Sequence, residues 1–92
     1  MVDERFSVKK DPGAKLPYSI DWTLWLEGET IVASTWSVPT GITKVSDSFT
    51  SKVTTIWLEG GTAGSDYQVV NHVTTSGNKQ DERTIFVYVR NR

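Results

Sequence analysis

"GETIVASTWSV", residues 28–38, is the stretch on which the fold turns. A glycine-bearing turn leads into a run in which Val32, Ser34, Trp36 and Val38 share one side, while Ile31, Ala33, Thr35 and Ser37 share the other. A side-chain period of two in β-branched and aromatic residues describes a half-buried strand, because a helix would repeat its apolar positions every three or four residues. The row containing Trp36 is read as the inward one, with Trp36 as its central packing residue.

Turn signals recur along the rest of the chain: "DPGAKLP" from Asp11, "EGE" from Glu27, "VPTG" from Val38, "TS" at Thr50, "EGGTAGSD" from Glu59 and "TSGNKQDE" from Thr75. They bound segments at roughly 5–9, 18–26, 30–38, 42–49, 53–58, 67–75 and 83–90, each rich in Val, Ile, Thr, Tyr, Phe and Trp. About seven antiparallel strands at this spacing predict an all-β, immunoglobulin-like β-sandwich of two sheets. Alternation places Tyr18, Ile20, Trp22, Leu24 and Leu26 inward, along with Tyr67, Val69, Asn71 and Val73 on one later strand and Ile85, Val87 and Val89 on the last. Trp25, Phe86 and Tyr88 then face outward.

The 92 residues are expected to form a single domain, 1–92, with one modest core. Four Trp, three Tyr and three Phe supply its bulk. The chain has no cysteine, so no disulfide braces the two sheets. In immunoglobulin domains a tyrosine stands two residues before the second cysteine, and here Tyr67 stands two before Val69. Trp22 lies fourteen residues before Trp36, near the spacing of the first cysteine from the core tryptophan. Trp22, Trp36 and Val69 are therefore read as filling the volume of the missing bridge, with apolar burial replacing roughly 2 to 4 kcal/mol of cross-link stabilisation.

Composition excludes several roles. Ten Lys and Arg against eleven Asp and Glu, scattered through both halves, make no basic stripe for a nucleic acid, and Arg90 and Arg92 read as a solvated end. No apolar run reaches the roughly 18 residues of a membrane span. "MVDERFSVKK" opens on the acidic pair Asp3 and Glu4 where a secretory leader would be basic and then apolar, so no leader is expected. A cysteine-free chain also suits folding in a reducing cytoplasm.

Chemistry finds no foothold either. His72 is the single histidine and has no second histidine or cysteine to complete a metal site, so it reads as a solvated strand residue. "EGGTAGSD" resembles a phosphate cradle, but a strand follows it in place of a helix, and its glycines read as supplying positive φ in a turn. The pairs Glu27/Glu29 and Asp81/Glu82 sit in turns of a chain too small to wrap a substrate. The D-x-D-x-D pattern of a calcium loop is missing. No catalytic residue, metal ligand or cofactor is expected.

Trp25 and Trp57 are the residues left for a partner. If the second and fifth strands are neighbours, both indoles lie on one outer face as a contact surface. The alternatives are that they cover each other or that the N-terminal segment covers them.

A family resemblance rests on these same residues. K-D-P from Lys10, D-W-x-x-W-L from Asp21, T-I-x-x-S-x-W-x-V from Thr30, W-L-x-G-G-T-A-G from Trp57 with Tyr67 three residues beyond it, V-T-T-x-x-G from Val73 and a closing D-E-R from Asp81 follow in order over about 80 residues. In this the chain resembles the small immunoglobulin-like fiber-tail adaptor proteins of tailed bacteriophages and prophages. Pro17 departs from the pattern, where a polar or acidic residue is expected. The resemblance implies a non-enzymatic virion structural protein, made in the bacterial cytoplasm, that joins tail or baseplate components to a tail fiber. Its implied partners are other tail and fiber proteins, and oligomerisation within the virion is compatible with it. The alternative from another class is a carbohydrate-binding or adhesion-type β-sandwich module, with Trp25 and Trp57 as a stacking platform.

Overall fold

The computed structural model describes residues 6–91. Asp3, Glu4, the expected strand start at Arg5, and Arg92 lie outside the described residues. In chain order come β1 (Phe6–Lys10), β2 (Lys15–Asp21), α1 (Thr23–Leu26), β3 (Ile31–Ser37), β4 (Ile42–Phe49), β5 (Val53–Gly60), β6 (Asp66–Thr75) and β7 (Gln80–Val89). They build a four-stranded sheet, β1-β7-β6-β3, and a three-stranded sheet, β2-β5-β4. Every pairing is antiparallel except that of β1, which runs parallel to β7 with Phe6 opposite Ile85 and Lys10 opposite Val89. Pro17 lies in β2, an edge strand, where a residue without an N–H costs no ladder bond on the open side.

The inner faces enclose Ile20, Trp22, Leu26, Ile31, Ile42, Ile56, Leu58, Val69, Val73, Ile85, Val87 and Val89, with Trp25, Trp36, Tyr18 and Tyr67 half-buried against them. The inward rows of β6 and β7 follow strict alternation. Two local departures from period two move individual residues elsewhere. The second strand stops at Asp21, whose carboxylate accepts the Thr23 N–H at 2.9 Å and the Thr23 hydroxyl, and the chain turns into α1. Helical spacing then brings Trp22 and Leu26 to the core and leaves Leu24, expected inward, 92% exposed. In β3 a bulge between Ile31 and Ala33 inserts one residue, so Ile31 is buried and Val32, also expected inward, is exposed. Beyond the bulge Ser34 and Trp36 return to the inner side. Trp36 is half-buried, and the fully enclosed indole at the centre is that of Trp22.

A hydrogen-bonded tie joins the sheets where a disulfide would stand. The Trp22 indole N–H donates to Asn71 Oδ1 at 3.1 Å and to Thr54 Oγ1 at 3.2 Å. The Thr54 hydroxyl donates to the same Asn71 oxygen at 2.7 Å, and the Asn71 amide donates to Ser34 Oγ and the Thr35 carbonyl, both at 3.0 Å. Trp22 and Thr54 come from the three-stranded side, Asn71, Ser34 and Thr35 from the four-stranded sheet. Sequence reading expected apolar burial alone at this position. Asn71, a polar residue in an otherwise apolar row, was the visible sign of the tie.

At the far end of β5 the sheets are joined again. Lys10 is fully buried, and its ammonium donates to the Gly60 carbonyl at 2.7 Å and the Asp11 carbonyl at 3.0 Å. Burial pushes its pKa below the ordinary lysine value, against the opposing pull of Asp11 and Glu59. Beside it the chain crosses between sheets through residues 60–65, and the Tyr67 hydroxyl accepts the Thr62 N–H at 3.0 Å, the backbone tether of a tyrosine corner. Gly61 has φ +98°, and a Cβ there would lie 2.7 Å from a Val89 methyl, so this crossing needs glycine.

Asn71→Leu keeps the volume but leaves the Trp22 N–H with Thr54 Oγ1 alone and the Thr54 hydroxyl without its acceptor in a dry interior, and is expected to cost about 2 to 4 kcal/mol in urea denaturation. Adding Thr54→Val should recover none of that loss, because it removes the remaining acceptor of the buried Trp22 N–H; a single variant as stable as wild type would show that the tie is dispensable. The pH dependence is set elsewhere. Asp21 and Glu29 both have lowered pKa values, Asp21 from its bonds to Thr23 and Glu29 chiefly from the Thr75 hydroxyl. The folded state thus binds fewer protons than the unfolded chain, and this stabilisation is present above roughly pH 4 and is lost as pH falls through the depressed values. The urea midpoint should decline in that acid window, and Asp21→Asn with Glu29→Gln should flatten the decline.

Candidate functional site

The outer face of the three-stranded sheet is built from alternate residues of β2, β5 and β4. Register sets Trp57 between Pro17 on β2 and Ser46 on β4. One pair further along β5, the Ser19 and Thr55 hydroxyls are hydrogen-bonded across the strands at 2.8 Å, and in the other direction Lys15 stands opposite Glu59. The result is a largely polar pleated surface with the Trp57 indole at its centre, 39% exposed. The flanks Ile56 and Leu58 are fully buried, which fixes the direction in which the indole points.

The free edge of this face is protected. A bulge in β4 leaves Val45 without a partner on β5 and brings Lys44 and Asp47 to one side, where they pair at 3.1 Å. Their cross-strand partners are the buried Leu58 and Ile56, so the charged pair sits on the inner side of the open rim. A bulge and inward charges both discourage another strand from adding to this edge.

Trp25 is elsewhere. It stands in α1, half-buried, with its ring set edge-on to Trp22 at 5.2 Å and the Lys79 ammonium 5.1 Å from its centroid. Trp57 lies four residues along β5 from Val53, the residue opposite Asp21, which is about 13 Å of strand. The structure therefore parts the two indoles that sequence reading had set on one face, because α1 takes the chain off the strand before residue 25.

α1 belongs to an end of the sandwich where three connections are knitted together. The Trp22 and Ile31 N–H groups donate to the Lys52 and Ser51 carbonyls, both at 2.9 Å, and the Ser76 N–H donates to the Thr30 carbonyl at 2.8 Å. Glu29 accepts from the Thr75 hydroxyl and the Gly77 N–H, with Lys79 beside it at 3.9 Å. A Cβ at residue 77 would meet that carboxylate at 2.7 Å, so any larger residue there would displace the Glu29 side chain. The Arg83 guanidinium lies 4.2 Å over the Trp22 ring and donates to the Asp21 carbonyl.

On the outer face of the four-stranded sheet, His72 is held between Glu82 and Gln80, each at 3.2 Å, a cross-strand arrangement with no nucleophile in it. Among the described residues no cluster of three or more His, Asp or Glu is placed to hold a metal ion, and no helix is long and apolar enough to cross a membrane. The remaining residues named from sequence lie as follows: Trp22 and Val69 are fully buried, and Trp36 and Tyr67 are half-buried against the core. Sequence reading missed Thr54 and Asn71 as inter-sheet ties, and took Leu24 for a core residue.

No curated protein matches the chain in sequence. Among solved structures it is similar to the PKD domain from KIAA 1837 protein, with a TM-score of 0.55 and 18% identity over 98% of this chain and 81% of that one, a likeness of fold. Residues 10–88 match the family described as podophage GP4 fiber-tail adaptor protein gp77. That span runs from the buried Lys10 to Tyr88 and takes in both inter-sheet ties and the Trp57 face, so the chain belongs to the podophage fiber-tail adaptor family.

Proposed function

We propose that this chain is a non-enzymatic part of the virion tail that joins tail or baseplate components to the tail fiber, with the outer face of the three-stranded sheet, centred on Trp57, as a contact surface. Family membership supports the adaptor role, and the observation that carries the surface is an exposed indole set between Pro17 and Ser46 on the outer face of the sheet, beside the Ser19–Thr55 hydroxyl pair. An indole offers large apolar area with few rotamers to freeze, and a polar surround keeps such a surface soluble until it is covered. The partners are other tail and fiber proteins. Repetition within a particle lets modest individual contacts suffice. The chain folds in the bacterial cytoplasm, for which a core tied by hydrogen bonds in place of a disulfide is suited. A sugar-binding module with paired indoles fits less well, since Trp25 is turned onto Trp22 and away from the Trp57 face.

Trp57→Glu should fold with nearly the wild-type melting temperature, yet fall about tenfold or more in copies per purified particle counted by mass spectrometry, because a carboxylate buried unpaired at an interface is strongly unfavourable. Trp25→Glu, by contrast, should lower the melting temperature of the isolated domain. A folded Trp57→Glu chain present at wild-type copy number in infectious particles would remove this face from the contact.

A further inference from the structure

A sheet edge presents a row of backbone N–H and C=O groups without partners, and what such a row accepts is another extended chain. The sandwich has four edges, β1 and β3 in one sheet and β2 and β4 in the other. Three of them carry a device against a further strand: β1 bears the exposed Lys9, β2 contains Pro17, and β4 has its bulge and the Lys44–Asp47 pair. β3 is different. Its bulge, and the bond from the Ile31 N–H to the Ser51 carbonyl, are confined to its first residues. From Ala33 to Ser37 it runs in even register with β6, and its other side meets no strand among the described residues.

The composition of this edge says what can cover it. Between Glu29 and Lys44 the sequence has no charged residue, the longest such interval in a chain that is 23% Asp, Glu, Lys and Arg. Ala33, Thr35 and Ser37 are exposed, small and uncharged, and Val32 beside them is 55% exposed. When an edge pairs antiparallel with its own copy about a twofold axis, residues near the axis face themselves or a close neighbour, so a charge there would meet its like. A strand of a different protein imposes no such condition, because it can carry the opposite charge. Hydroxyl side chains are moreover favourable cross-strand partners for one another.

We infer that β3 pairs antiparallel with β3 of a second copy of this chain, joining two four-stranded sheets into one continuous sheet. The pairing engages the outward backbone groups of Ala33–Ser37 and covers Val32. It stands on the sheet edges alone and does not require the adaptor reading. Trp57 belongs to the other sheet, so each copy keeps that face open and the pair carries two of them in a fixed relation.

Sedimentation equilibrium of the purified full chain, from about 10 µM to about 1 mM, should show a concentration-dependent equilibrium between monomer and dimer. Thr35→Lys and Ser37→Lys, both at exposed positions, should weaken the dimer about tenfold or more while the dilute protein keeps its melting temperature. Thr35→Lys mixed with Thr35→Glu should recover a mixed dimer at least as tight as the wild type, a rescue that requires the two β3 strands to lie side by side. A chain monomeric across the whole range, a dimer indifferent to both lysine variants, or no recovery on mixing would overturn the inference. So would a dimer lost in Trp57→Glu and kept in Thr35→Lys, which would place the contact between copies on the other sheet, or a monomer whose β3 takes up a strand of a different tail protein.

Discussion

The indole N–H of Trp22, shared between Asn71 and Thr54, is the constraint around which the sandwich is arranged. Two facing apolar sheets can slide over one another at small cost, since dispersion and the hydrophobic effect have little direction. A buried donor with two acceptors, one from each sheet, does not allow that. Displacement along the strands would leave an indole N–H, a hydroxyl and an amide unpaired in a dry interior, each a costly loss. The tie thereby fixes the relative placement of the two sheets, and with it the orientation of α1, whose first turn begins at the same tryptophan.

Lys10 plays the matching part at the opposite end of β5, where an edge strand of one sheet reaches the last carbonyl of a central strand in the other. The two ties lie six positions apart along β5, at Thr54 and Gly60, about 20 Å of strand. Held at both ends, the three-stranded sheet offers Trp57 on a face whose shape does not depend on a partner. That rigidity suits a component whose binding sites must keep a constant separation.

How far all this could be read from the chain depends on the distance over which each signal acts. Alternation located the strands and the buried rows of β6 and β7, because period two is a local property that survives tertiary packing. The tyrosine corner was visible too, as a spacing between Tyr67 and Val69 after a glycine-rich turn. Two short stretches misled. In "DWTLWL" Trp22, Trp25 and Leu26 already show helical spacing, but six residues fit either period, and the Asp21 carboxylate that starts the turn acts through one local bond. In "TIVAS" nothing distinguishes an even strand from a bulged one, so the phase of Val32 is set by the partner strand alone. The candidate contact at Trp57 followed from alternation, whereas the separation of Trp25 from it required knowing where β2 ends.

The strand order also bears on how the protein is made. None of β1, β2 and β3 pairs with another of the three; their partners are β7, β5 and β6. A growing chain therefore completes β1, β2 and β3 with none of the three able to find its neighbour, and β1 waits for β7. Pairings so distant in sequence close slowly, and until they close the unpaired segments can meet those of other chains. Partial products cannot masquerade as finished parts: a fragment truncated before β7 lacks the central strand that joins β1 to β6, so only a chain translated through β7 can complete the four-stranded sheet.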